Sequence, residues 1–180
     1  MRARLLIIVL GLLALTGCSS VGGSSAGEPA ANKADATFSL QMIPHHRQTI
    51  QIAKVAMEKS KDEFVVNVAD KIATAEAGEI EQMATYLRSW NIQVPGDDAS
   101  ATHKMAGMMT VKDVEALKSA TGKQYDDLFL ATLSRHLRSG VDMAKEAQAK
   151  GEHIGSKALA SKIIVSQTEV LDQISAKQKS

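Results

Sequence analysis

Apolar residues recur along most of the chain at spacings of three and four residues, which is the period of one face of an α-helix. The pattern predicts four long helices, over residues 35–59, 63–91, 123–150 and 154–177. A short fifth helix is expected near 111–120. These segments are rich in Ala, Lys, Glu, Gln, Ile and Met, and aromatic residues are scarce. That composition favours an all-α protein.

The second half of the chain repeats the first when the two are aligned at an offset of 91 residues without a gap. The matched identities include Phe38 with Phe129, His45 with His136, Arg47 with Arg138, and Gln82 with Gln173. Two amphipathic helices resemble each other at apolar positions in any case, but that does not explain a histidine opposite a histidine. Two helical hairpins, 35–91 and 123–178, joined by a linker over 92–122, would close most simply into a four-helix bundle.

The first 34 residues differ from the rest. Two arginines near the start precede an apolar run, Leu5 to Leu15, that is too short to span a bilayer but typical of a signal peptide. The run ends in Leu-Thr-Gly-Cys18, which resembles a bacterial lipobox. We therefore predict a signal peptide over 1–17, lipidation of Cys18 and a Ser/Gly/Ala-rich tether over 18–34. The domain, 35–180, is expected outside the cytoplasmic membrane; a plain secretory signal is the alternative.

Charge and cysteine content narrow the choice of partners. Removal of residues 1–17 takes away Arg2 and Arg4 and leaves 19 basic and 20 acidic residues, so the mature chain lacks the positive charge that nucleic-acid binding favours. Cys18 is the only cysteine, so an intramolecular disulfide is excluded. The expected partner is the membrane, through the lipid.

Polar residues interrupt the apolar stripes of the predicted helices. They are His45, Glu76, Glu79, His136 and Gln167. A lone buried carboxylate is unfavourable, so each glutamate needs a partner, and the histidines across the bundle could supply one. Support to a metal-bound histidine would look the same.

Met42, His45 and His46 lie at positions i, i+3 and i+4, on neighbouring patches of one helix face. A thioether and two imidazoles suit copper or zinc, and the thioether selects Cu(I). Pro44 would either kink the helix or lie in its first turn, where a missing N–H matters little. The alternative to metal ligands is a set of satisfied structural histidines.

A second cluster of methionines, Met105, Met108 and Met109, lies in a Gly-containing part of the linker. Flexible methionine-rich stretches bind Cu(I), and the alternative is that these side chains cover the open end of the bundle.

Several enzyme classes lack their sequence signals. A di-iron site in this architecture would need Glu-x-x-His on two helices, and the sequence contains none, which disfavours a ferritin-like redox enzyme. We find no nucleophile with its base and no Gly-rich phosphate loop. The protein is therefore not expected to be an enzyme.

These motifs resemble the bacterial family known as domain of unknown function 305. The resemblance rests on Phe38, the Met-Ile-Pro-His-His run at 42–46, the Glu-x-x-Glu-Ile segment at 76–80, Trp90, the Met-x-Gly-Met-Met-Thr run at 105–110, and the run from Leu159 to Gln167. It implies a ferritin-like four-helix fold, export and, for some members, copper binding through Met and His. The second half departs from the family pattern, since Leu133, Leu137 and Val170 stand where Met, His and Glu are expected.

Two hypotheses follow. In the first, a lipid-anchored bundle binds or buffers copper at the cell envelope. Its ligands would be Met42, His45 and His46; Glu79, Met83 and His136 would complete or support them; and Met105, Met108 and Met109 would form a weaker, mobile site. In the second, the bundle is a metal-free structural or protein-interaction module, and His45 and Glu79 belong to a buried polar network that fixes its register.

Overall fold

The computed structural model describes residues 30–97 and 107–179, and this part of the chain contains helices and no strands. The five helices are α1 (Lys33–Lys59), α2 (Glu63–Ser89), α3 (Val111–Ser119), α4 (Gly122–Lys150) and α5 (Ile154–Lys177). Every helix begins and ends within two residues of its predicted bounds. The predicted all-α bundle is therefore confirmed. The predicted signal peptide, Cys18, most of the tether and Met105 lie outside the described residues.

Side chains at the N-terminus of α1 explain where the helix starts. The Asn32 carboxamide oxygen accepts from the Ala34 and Asp35 backbone N–H groups at 2.8 and 3.1 Å, and Asp35 accepts from the Asn32 N–H at 2.9 Å. This capping box satisfies donors that the first turn leaves unpaired. The helix consequently begins at Lys33, within the predicted tether.

An aspartate of each half fastens a turn of the other half. Asp35, which is fully buried, accepts from the backbone N–H groups of Glu152 and His153, both at 3.0 Å, in the turn between α4 and α5. At the equivalent position, Asp126 accepts from the Ser60 hydroxyl at 2.6 Å, in the turn between α1 and α2. The duplication thus extends to the contacts that hold the two hairpins together.

The helices pack as two hairpins, α1 with α2 and α4 with α5, which meet mainly through α1 and α4. The core contains two apolar clusters. One includes Phe38, Met42, Met83, Leu87 and Ile163, and the other includes Ile52, Ile72, Phe129, Leu133 and Ile174. Between these positions along each long helix lie buried polar side chains, here called the polar layer: His45, His46, Thr49, Glu76, Glu79, His136 and Gln167.

Pro44 lies well inside α1, next to the polar layer. It has no N–H to donate to the Leu40 carbonyl, so one helical hydrogen bond is missing there. The prediction that Pro44 could belong to the first turn is wrong, because the Asn32 cap starts the helix eleven residues earlier. None of the helices in the described part of the chain has the length and hydropathy of a membrane span.

Candidate metal centre

The polar layer is sealed from solvent. His45, His46, Glu76, His136 and Gln167 have no exposed surface, and Glu79 is 1% exposed. Each long helix supplies at least one of these side chains at the point where its stripe passes from one apolar cluster to the other. Burial makes unpaired charges and unpaired donors unfavourable, so the partners of each side chain decide what the layer can do.

His46 lies between the two glutamates of α2. Its Nδ1 is 3.5 Å from Glu76 Oε1, and its Nε2 is 3.0 Å from Glu79 Oε2. Burial lowers the pKa of His46, but the two carboxylates together outweigh this effect and the pKa is raised from 6.5. Burial also raises the pKa of Glu76 to about 7. His46 therefore acts as the counter-charge of both glutamates, the role the sequence left open among three histidines.

His45, the neighbour of His46 on α1, differs from it in its partners and in the direction of its pKa shift. Among the described residues, neither of its ring nitrogens has a hydrogen-bond partner. Burial, followed by the proximity of His136 and His46, holds the pKa of His45 well below 6.5. The ring is thus a neutral imidazole with a free lone pair in the centre of the bundle. That is the state in which histidine binds metals.

His136 of α4 stacks on His45, with ring centroids 3.6 Å apart and planes 13° from parallel. Its Nδ1 lies 3.1 Å from the Gly107 carbonyl oxygen, and its Nε2 lies 3.1 Å from the His45 carbonyl oxygen. Burial lowers the pKa of His136 to about 4, so the ring is neutral and carries one N–H. It can donate to only one of these two carbonyls at a time. Metal binding by His136 would require one nitrogen to leave its carbonyl.

Two further residues shape the layer. Gln167 donates to Glu76 Oε1 at 3.1 Å. Gly140 leaves the space for this contact, since a Cβ there would lie 2.5 Å from Gln167 Oε1 and 3.2 Å from His45 Cε1. The role of Gly140 was missed by the sequence analysis, although a glycine in the middle of a long helix, where it is less favourable than alanine, is a signal of close approach.

The predicted methionine ligands fall into two groups. Met42 and Met83 are fully buried in the same apolar cluster, one turn from the histidines and glutamates of the layer. Met109 is also buried, but it packs in the other cluster with Leu117, and Met108 is half-buried. Met109 therefore serves as a core residue of the linker, and the weaker site predicted with Met105 and Met108 stays a prediction.

The chemistry of the layer fits a soft ion better than a hard one. In residues 30–97 and 107–179, no three His, Cys, Asp or Glu side chains are placed to hold a metal ion together. The carboxylates, which suit hard cations, face His46. The free lone pair of His45 and the thioethers of Met42 and Met83, which lie one helical turn along α1 and α2 from the layer, are donors of the kind that select Cu(I).

The fold and the site define a helical-bundle protein with a duplicated hairpin and a buried His/Glu layer between its two apolar clusters. The chain belongs to the DUF305 family (domain of unknown function 305), whose model matches residues 35–177. The family prediction is therefore confirmed. A comparison with curated protein sequences finds no match.

Solved structures with the same fold include proteins of this family and copper-bound proteins. A DUF305 protein from Streptomyces coelicolor is 28% identical, with a TM-score of 0.70 over 78% of this chain and 89% of that one. CopM in its Cu(II)-bound form is 27% identical, with a TM-score of 0.70 over 81% of this chain and 95% of CopM. CopM in its Cu(I)-bound form is 25% identical, with a TM-score of 0.68 over the same shares.

Proposed function

We propose that the protein binds copper outside the cytoplasmic membrane and buffers it, held at that membrane by a lipid on Cys18 and catalysing no reaction. The observation that carries this proposal is the state of His45, a fully buried neutral imidazole with no partner for either nitrogen. A folded protein seldom leaves such a group unpaired unless something else occupies it.

The ligands on this proposal are His45 with the thioethers of Met42 and Met83. His46 and Glu79 support the site from beside it, since each already faces the other at 3.0 Å. His136 becomes a further ligand when one of its ring nitrogens leaves the carbonyl oxygen that it faces. A soft donor set of this kind favours Cu(I) over zinc and over hard cations, and similarity to the copper-bound CopM structures supports the choice of metal.

The location outside the membrane rests on the first residues of the sequence. The apolar run from Leu5 to Leu15 and the Leu-Thr-Gly-Cys18 that ends it are typical of exported lipoproteins. A copper buffer in that compartment would meet incoming metal before it crosses the membrane. The lipid would keep the buffer at the membrane surface rather than free to diffuse.

One set of contacts favours the alternative, a metal-free structural module. His46 with its two glutamates, and Gln167 with Glu76, form a network that already pairs much of the polar layer. Such a network could fix the register of the hairpins without any metal. On this alternative the protein would bind no copper, and the unpaired nitrogens of His45 would contact water.

The test is a titration of the purified protein with Cu(I) in competition with a chromophoric chelator. Met42→Leu and Met83→Leu remove the thioether while conserving side-chain volume, a change that usually alters stability by less than about 1.5 kcal/mol. Met143→Leu is the matched control, because Met143 is a half-buried methionine that packs against the same apolar cluster and is not among the proposed ligands. His45→Phe keeps the ring that stacks on His136 and removes both nitrogens.

We expect one tight Cu(I) site in the wild type and in Met143→Leu. Loss of a supporting group next to a metal ligand weakens binding by about 10- to 100-fold, so loss of a direct ligand in Met42→Leu or His45→Phe should weaken it at least as much. Equal binding by all variants would move the site away from the polar layer. Absence of binding by the wild type would refute the copper proposal and leave the structural module.

A further inference from the structure

The last part of the linker, Gly107–Thr110, crosses the seam between α1 and α4 and is here called the strap. It approaches α4 at Gly107, whose carbonyl oxygen lies 3.1 Å from His136 Nδ1. It then reaches α1 at Met109 and continues into α3. The strap thus lies outside His136, which itself stacks on His45.

One side chain of α1 holds the strap by its backbone. Gln48 Nε2 donates to the Met109 carbonyl at 3.0 Å, and the Met109 N–H donates to Gln48 Oε1 at 2.7 Å. Both bonds are buried, and a primary amide is the side chain that can donate and accept in this way at once. At the other end, Gly107 has a φ of +82° and lies so close to α4 that a Cβ would collide with the Ser139 side chain.

Open space borders the strap among the described residues. A cavity of about 210 Å³ separates α1 from α3 beside Gln48, lined by Ile52, Val114, Leu117 and Tyr125 among others. Gly107 and Met108 are only half-buried. His136 carries one N–H, so it donates a hydrogen bond either to the Gly107 carbonyl or to the His45 carbonyl, but not to both at once. Segments with few packed contacts open at lower free energy than the core around them.

We propose that the strap is a gate through which copper reaches His45, with Gln48 as its latch. The proposal rests on the copper-binding function proposed above. His45 is fully buried, so an ion reaches it only when a covering segment moves. The strap lies over His136 and is held to α1 by the two bonds with Gln48. Its opening also removes the Gly107 carbonyl from His136 Nδ1 and frees that nitrogen to bind the ion.

The first measurement needs no metal. Hydrogen exchange of the Met109 amide, followed by mass spectrometry of peptides that cover 107–110, reports strap opening in the purified full chain. Gln48→Ala removes both latch bonds and should speed this exchange by about tenfold, as expected for the loss of two hydrogen bonds. Gln51→Ala is the matched control, since Gln51 is an exposed glutamine that lines the same cavity. Exchange in the helices of the polar layer should not change.

The second measurement is the rate of Cu(I) transfer from a chromophoric chelator, followed by stopped flow. If the strap is the gate, Gln48→Ala should raise the rates of uptake and release by a similar factor, about that seen in exchange. The stoichiometry should stay at the wild-type value, and Gln51→Ala should match the wild type in both measurements. A Kd that changes much less than the rates distinguishes a latch from a ligand.

The outcomes separate this inference from the function on which it rests. Faster strap exchange with unchanged copper rates in Gln48→Ala would refute the gate and leave copper binding intact. Unchanged strap exchange would refute Gln48 as the latch. A wild type that binds no Cu(I) in the equilibrium titration would refute the copper function itself, and the gate with it.

Discussion

The two hairpins share one register but differ in what they place in the core. Position by position, the first half has Met42, His46, Glu79 and Met83 where the second half has Leu133, Leu137, Val170 and Ile174. All eight side chains are buried. The second copy therefore offers an apolar version of the same surface, and the charged and soft donors are concentrated in α1 and α2.

Two pairs of equivalent residues are polar in both halves, and the two members of each pair contact each other. His45 stacks on His136, and Glu76 accepts from Gln167; the members of each pair are 91 residues apart. Equivalent residues of two copies touch only near the axis that relates the copies. A polar residue there faces a polar residue of the other half, whereas off the axis each half packs its own side chains. The two halves can therefore differ in their donors away from the axis without any change in the contacts at the axis.

The largest effect is expected from His46→Leu, which places the residue of the second half into the first. The substitution leaves Glu76 buried without a counter-charge and leaves Glu79 only the exposed Lys162, whose Nζ is 3.9 Å from Glu79 Oε1. Breaking a buried pair in this way lowers the free energy of unfolding by about 3–5 kcal/mol. Urea denaturation at pH 7 measures the loss.

The triple variant His46→Leu/Glu76→Gln/Glu79→Val makes the first half match the second at all three positions. Replacement of a whole buried ionic group by apolar or neutral side chains is often neutral or stabilising, so most of the lost stability should return. On the copper proposal this variant keeps the ligands His45, Met42 and Met83 but loses the supporting groups His46 and Glu79, so it should still bind Cu(I), at least about 10- to 100-fold more weakly than the wild type. A triple variant as unstable as His46→Leu alone would mean that the pairing with His46 does not explain the loss.

The sequence predicted the fold because its signals are local and repeated. Apolar periodicity located the four long helices, and the N-cap pattern from Thr110 to Asp113, which the structure shows as a capping box, located α3. The identity of His45 with His136 indicated the duplication, and the structure adds that these two rings touch. Helical periodicity and a gap-free repeat leave few other ways to bury the stripes.

The site could be predicted as a set of residues but not as a set of roles. The sequence singled out His45, His46 and Glu79, yet it could not tell which histidine the glutamates would pair with, because i+3 and i+4 neighbours share a face. The strap was predicted only as a methionine-rich linker. Its contact with Gln48 joins residues 61 positions apart through the backbone of Met109, and such a contact leaves no periodic signal.

A smaller effect on stability is expected from a substitution of Gly140, the position in the second half that corresponds to Thr49 in the first. Gly140→Ala would bring a Cβ to 2.5 Å from Gln167 Oε1 and 3.2 Å from His45 Cε1, and overpacking of this kind lowers the free energy of unfolding by about 1–3 kcal/mol. Gly78→Ala in α2 is the control, since its Cβ would meet no atom of the described chain within 4 Å. It should instead stabilise the helix by up to about 1 kcal/mol. Equal effects of the two substitutions in thermal unfolding would contradict a packed polar layer.

The smallest effect on the free energy of unfolding is expected from a change of pH, because the titrations of the buried groups of the layer change it in opposite directions. The pKa of Glu76 is raised from 4.5 to about 7, so its contribution to stability is complete below pH 4.5 and is lost as the pH rises through 7. His46, with a raised pKa, acts in the same direction. The pKa values of His45 and His136 are lowered, so their contributions are present above pH 6.5 and are lost as the pH falls.

The wild type alone should therefore show little net change in stability between pH 5 and 6.5, where Glu76 opposes His45 and His136, and should lose stability above pH 6.5, where only the losses from Glu76 and His46 remain. Glu76→Gln gives the first half the glutamine that the second half has at Gln167, and it removes one of the opposing groups. The stability of the wild type relative to this variant should fall steadily from pH 4.5 to 7. Over that range unfolding of the wild type releases the proton of Glu76, whereas unfolding of the variant does not. Urea midpoints at pH 5, 6, 7 and 8 measure the difference. A difference that rises with pH would mean that the pKa of Glu76 is lowered in the fold, and that the His46 charge rather than burial controls it.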